Sequence, residues 1–127
     1  MRWLIDTHIL LWWHAKKEKL AKDALRILNH PENEIRVSVI SLWEIQLKMR
    51  RQKIKGSLNQ IEDAISQTGF RLTPLLPQHI RSLEDLTKIS HDPFDMMLIA
   101  QAQAMPAYFM TSDPALAKFG DWVKVFN

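Results

Sequence analysis

The chain has 127 residues, enough for one domain with a real core and too few for two. Apolar residues at 46% and charged residues at 24% exclude disorder, and the absence of Cys excludes disulfides, thiolate metal sites and a Cys nucleophile. Seventeen Lys and Arg against fourteen Asp and Glu leave +3, a mild excess compatible with a polyanionic partner.

Arg2–Ile5 is short and apolar, as in a buried strand. Asp6, Thr7 and His8 then interrupt the N-terminal apolar stretch far short of the ~18–20 residues of a membrane helix. No small-residue cleavage site follows, so neither a span nor a secretory leader is expected, and a cytoplasmic location fits. Thr7–Ala15 reads as a helix capped by Asp6 or Thr7. Leu20, Ala24, Ile27 and Leu28 repeat at helical spacing and stop near Asn29-His30-Pro31. Ile35–Val39 is β-branched and predicts a second strand. Leu42, Ile45 and Met49 predict a helix to about Arg51, and Leu58, Ile61 and Ile65 another, ended by Gly69. Phe70–Thr73 is a third strand, and Ile80, Leu83 and Leu86 suggest a helix. Phe94–Ala104 is helical and stops at Pro106. Ala107–Met110 is a fourth strand, Pro114–Phe119 a short helix and Trp122–Phe126 a fifth strand.

There is no repeat, low-complexity tract or linker, so residues 1–127 read as one α/β domain. Alternating strands and helices predict a parallel sheet covered on both faces. Ligands of such sheets bind beyond the carboxyl ends of the strands, where strand order reverses. Asp6 follows the first strand directly, and Asp113 lies just past the fourth. Glu44 is on the helix after the second strand, and Asp95 opens the helix before the fourth. Clustered carboxylates repel, and at least one protonates unless a cation is present. Hard divalent ions such as Mg²⁺ or Mn²⁺ prefer such oxygen ligands and can activate water against a phosphodiester. Each acid also has a plainer use: Asp6, Asp92 and Asp113 as helix caps or turn residues, Glu44 as a solvated helix residue. Their joint placement is the signal.

At these residues the chain resembles a known family. Leu4-Ile5-Asp6-Thr7-His8 is similar to the opening motif of PIN-domain ribonucleases, specifically the VapC toxins of bacterial toxin–antitoxin pairs. Ser41-Leu42-Trp43-Glu44-Ile45 resembles their second acidic motif. Asp92-Pro93-Phe94-Asp95, continuing to Leu98-Ile99-Ala100-Gln101-Ala102, resembles the third, and Thr111-Ser112-Asp113 the fourth. The resemblance implies a five-stranded parallel sheet of order 3-2-1-4-5 flanked by helices. It implies a Mg²⁺- or Mn²⁺-dependent endoribonuclease acting on RNA, with Asp6, Glu44, Asp95 and Asp113 as the metal-holding, catalytic acids. Thr111 matches a supporting hydroxyl. Asp92 competes with Asp95 as third acid; Asp95 is favoured because it heads the Leu-Ile-Ala helix. A cognate antitoxin and a homodimer are further implied. Two positions depart from the pattern: Met96 stands where Arg is frequent, and Ser90 where His is frequent, with His91 one residue later.

Lys48, Arg50, Arg51, Lys53 and Lys55 form the densest basic run. Lys48, Arg50 and Arg51 are candidate RNA contacts, against the alternative of cations complementing a helix C-terminus. Lys16, Lys17, Lys19 and Lys22 read as plain surface. Of Trp12 and Trp13, adjacent on one helix, one is expected in the core, the other over a partner surface or the rim. Trp3, Trp43 and Trp122 read as core, and Met96, Met97, Met105 and Met110 as packing filler. No zinc-like His spacing, GxGxxG, Walker loop or GxSxG occurs. The competing expectation is a catalytically silent α/β module that binds RNA or protein. A receiver-like phosphoacceptor ranks lower, because Thr73-Pro74 stands where its acceptor Asp would follow the third strand.

Overall fold

A computed structural model describes all of residues 1–127. Five strands, β1 (Arg2–Ile5), β2 (Glu34–Ser38), β3 (Arg71–Thr73), β4 (Tyr108–Thr111) and β5 (Val123–Val125), form one sheet of order β3-β2-β1-β4-β5. Every neighbouring pair is parallel. Six α-helices connect them: α1 (Thr7–Ala15), α2 (Lys22–Asn29), α3 (Val39–Arg50), α4 (Leu58–Thr68), α5 (Pro77–Arg81) and α6 (Pro93–Ala104). No helix is long and apolar enough to cross a membrane.

Alternation along the strands divides the core in two. Trp3, Ile5, Ile35, Val37 and Met110 face one way and pack with Ile9, Leu10 and Trp13 of α1, Ala24 and Leu28 of α2, and Ile61 and Ile65 of α4. Leu4 and Phe109 face the other way and pack with Leu98, Ile99 and Ala102 of α6. Helix α3 contributes to both layers, Ile40 to the second and Leu42 and Ile45 to the first. That bridging position brings Glu44 over the carboxyl ends of the strands. Helix α4 ends at Gly69 as its sequence predicts, at φ 82°, a conformation favoured by glycine; at its start Ser57 and Gln60 form a capping box.

The expected elements appear with shifted edges. Val39 opens α3 rather than closing β2, because the Ser38 hydroxyl accepts the Ile40 N–H and caps the helix there. The Ile80-Leu83-Leu86 segment is not one α-helix; a five-residue helix passes into a 3-10 turn at Ser82–Asp85. Spacings of three residues match the 3-10 repeat better than the α repeat. Pro114–Phe119 is likewise 3-10. Trp43 is not core: it is 58% exposed, one residue round α3 from the buried arc of Ser41, Leu42, Glu44 and Ile45, and packs edge-on against Phe94. Trp3 and Trp13 are buried; Trp12 and Trp122 are half-buried.

Candidate active site

In a sheet of this order the chain reverses between β1 and β4, leaving a crevice at their carboxyl ends. Asp6 sits there, its backbone N–H bonded to Met110 O of β4 at 2.9 Å. Its Oδ1 accepts the Ile9 N–H at 2.8 Å and so caps α1. Asp113, beyond β4, caps the following 3-10 turn through Ala115 N–H at 2.9 Å. Glu44 arrives from α3, 7% exposed. Asp92 caps α6, its Oδ1 accepting the N–H groups of Phe94 and Asp95, and Asp95 lies in the first turn it fixes. All five carboxylates line one cavity of about 400 Å³, with His8, Trp12 and Ser112 among its other walls.

The buried acids are held by neighbouring side chains. Thr7 donates its hydroxyl to Glu44 Oε1 at 2.7 Å, and Lys48 Nζ lies 3.2 Å from Oε2. The Thr111 hydroxyl is buried and accepts the Asp113 N–H at 3.1 Å, and its proximity to Asp6 favours that residue's charged form. Burial raises Asp6 above the ordinary carboxylate range, against the opposing Thr111 and Ile9 hydrogen bonds. Asp95 is pushed up to about 7, first by burial, then by Asp92, Asp6, Glu44 and Asp113 in turn. Nothing around Asp95 offsets these effects.

The donor chemistry fits a hard divalent cation. Every carboxylate supplies oxygen, and Asp6, Asp92 and Asp113 each commit Oδ1 to a backbone N–H, leaving one oxygen of each otherwise engaged or open to the cavity. No three of these side chains close into a ready cage. Mg²⁺ typically keeps several waters beside one or two carboxylates. The repulsion carried by Asp95 is what a cation would relieve.

Of the candidate RNA contacts, Lys48 and Arg51 line an adjoining cavity of about 560 Å³ with His8 and His91, and this cavity shares Glu44 and Asp92 with the acid site. Arg50 is exposed and lines neither cavity. Sequence reading did not single out the Thr7 bridge to Glu44. A hydroxyl one residue after a helix-capping Asp was the available signal. Met96, at the position where the resemblance leads one to expect Arg, turns its sulfur to the Ser90 N–H at 3.2 Å and braces the loop ahead of α6.

A model of the PIN-domain family matches residues 3–121. Among solved structures, a chain in the crystal structure of VapBC2 from Rickettsia felis, bound to a DNA fragment from its promoter, shares the fold. The two superpose with a TM-score of 0.72 at 16% identity, over 100% of each chain. No curated protein sequence matches the chain. With the family match spanning all four acidic segments, the chain belongs to the PIN-domain family.

Proposed function

We propose that the protein is a toxin-type endoribonuclease of the VapC kind, hydrolysing RNA phosphodiester bonds with Mg²⁺ or Mn²⁺ held by Asp6, Glu44, Asp95 and Asp113. The observation that carries this reading is the convergence of acids from four separate segments on one cavity at the β1/β4 crevice. When bound, such an ion lowers the pKa of an attacking water and screens charge on the phosphate. The chain's own residues do the rest. Thr7 and Lys48 fix both oxygens of Glu44, and Thr111 holds the Asp113 backbone beside Asp6. Asp92 acts as a positioning residue: by capping α6 it sets the turn that aims Asp95. Lys48 and Arg51, beside the acids, meet the flanking phosphates, with Arg50 a more distant contributor.

The same reading supplies partners. A cognate antitoxin restrains the enzyme, in keeping with the resemblance and with a structural neighbour that is itself a VapBC assembly. A homodimer forms through an apolar face that carries the exposed side chains of Trp43 and Ile80 beside Phe94. The cytoplasm, where RNA substrates are, is its site of action.

Cleavage of total RNA by purified wild-type protein and by Asp6→Asn, with Mg²⁺, Mn²⁺ or EDTA, tests this. Asn serves as a helix cap as well as Asp does, so the variant keeps the fold. Discrete fragments from wild type alone, and only with metal, are expected. RNA binding without cleavage under any divalent ion returns the silent binding module.

A further inference from the structure

The acid cavity has a second one beside it. The two share Trp12, and the second, of about 510 Å³, is walled by Leu11, Trp12 and Ile54 and edged by Lys16, Lys53 and Lys55. His8, Trp12 and Lys16 follow at four-residue spacing along one face of α1 and its C-terminal cap. This row leads from the carboxylates to the lysines over about 12 Å. No carboxylate lines the second cavity, and none of its three lysines has an ion-pair partner; the ion pairs of the molecule are made at Glu34, Asp23 and Glu44. The loop bearing Lys53 and Lys55 is held against the end of α3. The Gln52 N–H bonds Met49 O, and the Lys53 N–H bonds Lys48 O, each at 2.9 Å. Lys16, which reads from sequence as plain surface, is thus part of a fixed concave face.

We propose that this groove is a subsite for single-stranded RNA: a base next to the cleaved bond stacks on Trp12, and the phosphates beyond it pair with Lys16, Lys53 and Lys55. The proposal rests on the nuclease reading and adds a direction to it, since the strand leaves the acids along α1. An apolar wall with a half-buried indole accepts any base by its face, and three unpaired ammonium groups accept a phosphate backbone. Stacking on one indole needs a splayed, unpaired base, which selects single strands over duplex. An acidic, apolar peptide has related chemistry. RNA is favoured because Trp12 lines both cavities, so the indole is the residue common to a phosphate at the acids and the next residues of a strand in the groove.

The test measures binding of a short, unstructured, fluorescently labelled RNA to the full chain carrying Asp6→Asn, across a range of salt. K16Q/K53Q/K55Q, Trp12→Leu and Trp12→Phe are added to that background, with thermal melts to establish folding. The lysine variant changes exposed residues, so it keeps the test decisive if Trp12→Leu does not fold. The triple variant is expected to weaken binding tenfold or more and to flatten the slope of log K against log salt by about 2, at ~0.7 per lost phosphate contact. Trp12→Leu is expected to weaken binding roughly tenfold, with Trp12→Phe recovering most of it. Unchanged affinity and slope in the triple variant overturn the subsite. So does loss of binding to an acidic, leucine-rich peptide with RNA affinity intact, which makes the groove a protein dock. Metal-dependent cleavage by wild type in either case leaves the nuclease reading standing; absence of both cleavage and RNA binding removes both.

Discussion

The Thr7 hydroxyl and the Glu44 carboxylate meet at 2.7 Å and tie the first turn of α1 to the middle of α3 across the acid cavity. Both residues are buried, and the Thr7 oxygen also lies 3.1 Å from the Ser41 hydroxyl. A threonine therefore positions an acid that arrives from 37 residues further along the chain. Thr7→Val keeps the shape and leaves Glu44 Oε1 without a donor. The expected cost is about 1–3 kcal/mol, read by urea denaturation. Mg²⁺ affinity should fall as well, because Glu44 loses its fixed rotamer. An unchanged midpoint and unchanged metal affinity would show that this bond orders nothing.

Much of this arrangement was legible in the sequence, for identifiable reasons. The buried strands are short apolar runs, and the caps at Asp6 and Gly69 are strong local signals. Asp6 and Asp113 stand just after strands, so the topology alone carries them to one crevice, whereas Glu44 sits in the middle of α3. Asp92 and Asp95 were harder to separate, because their difference lies in burial and not in spacing. Asp92 spends an oxygen as a cap on the exposed rim, while Asp95 feels every other acid. Trp43 misled because its neighbours Leu42 and Ile45 are core, and one helical step turns a side chain by ~100°. The Thr7–Glu44 bond and the Trp12 groove join segments far apart in sequence, which local pattern does not encode.

Trp43 offers a test of the proposed homodimer. It is 58% exposed beside Ile80 at 49%, an apolar pairing that a partner would cover. Trp43→Asp is expected to shift the mass in light scattering from dimer to monomer. The monomer should keep its fold, because the substitution removes mainly the contact with Phe94, worth about 1 kcal/mol. A dimer that survives the change uses another face.

Asp95→Asn separates stability from activity. The Asp95 carboxyl titrates near 7 in the folded protein and near 3.8 in the unfolded chain. The folded state therefore holds the extra proton between those values, and stability falls as pH rises through that window. In EDTA, the melting temperature of Asp95→Asn should match wild type near pH 4 and exceed it at pH 8. Cleavage should be lost at both. Equal melting temperatures at pH 8 would mean that the charge on Asp95 is not repelled in the metal-free site.

Metal binding should also release protons. An ion entering among the carboxylates favours the charged form of Asp95, so the proton held near pKa 7 leaves as the ion arrives. Titration calorimetry of Mn²⁺ into wild type, repeated in buffers of different ionisation heat, counts that proton. Close to one proton per ion is expected at pH 6, where Asp95 is mostly protonated, falling toward none by pH 9, where it is already charged. Asp95→Asn should remove most of the pH dependence, along with much of the affinity. Release that stays the same from pH 6 to pH 9 would place the ion away from Asp95 and return the third position to Asp92.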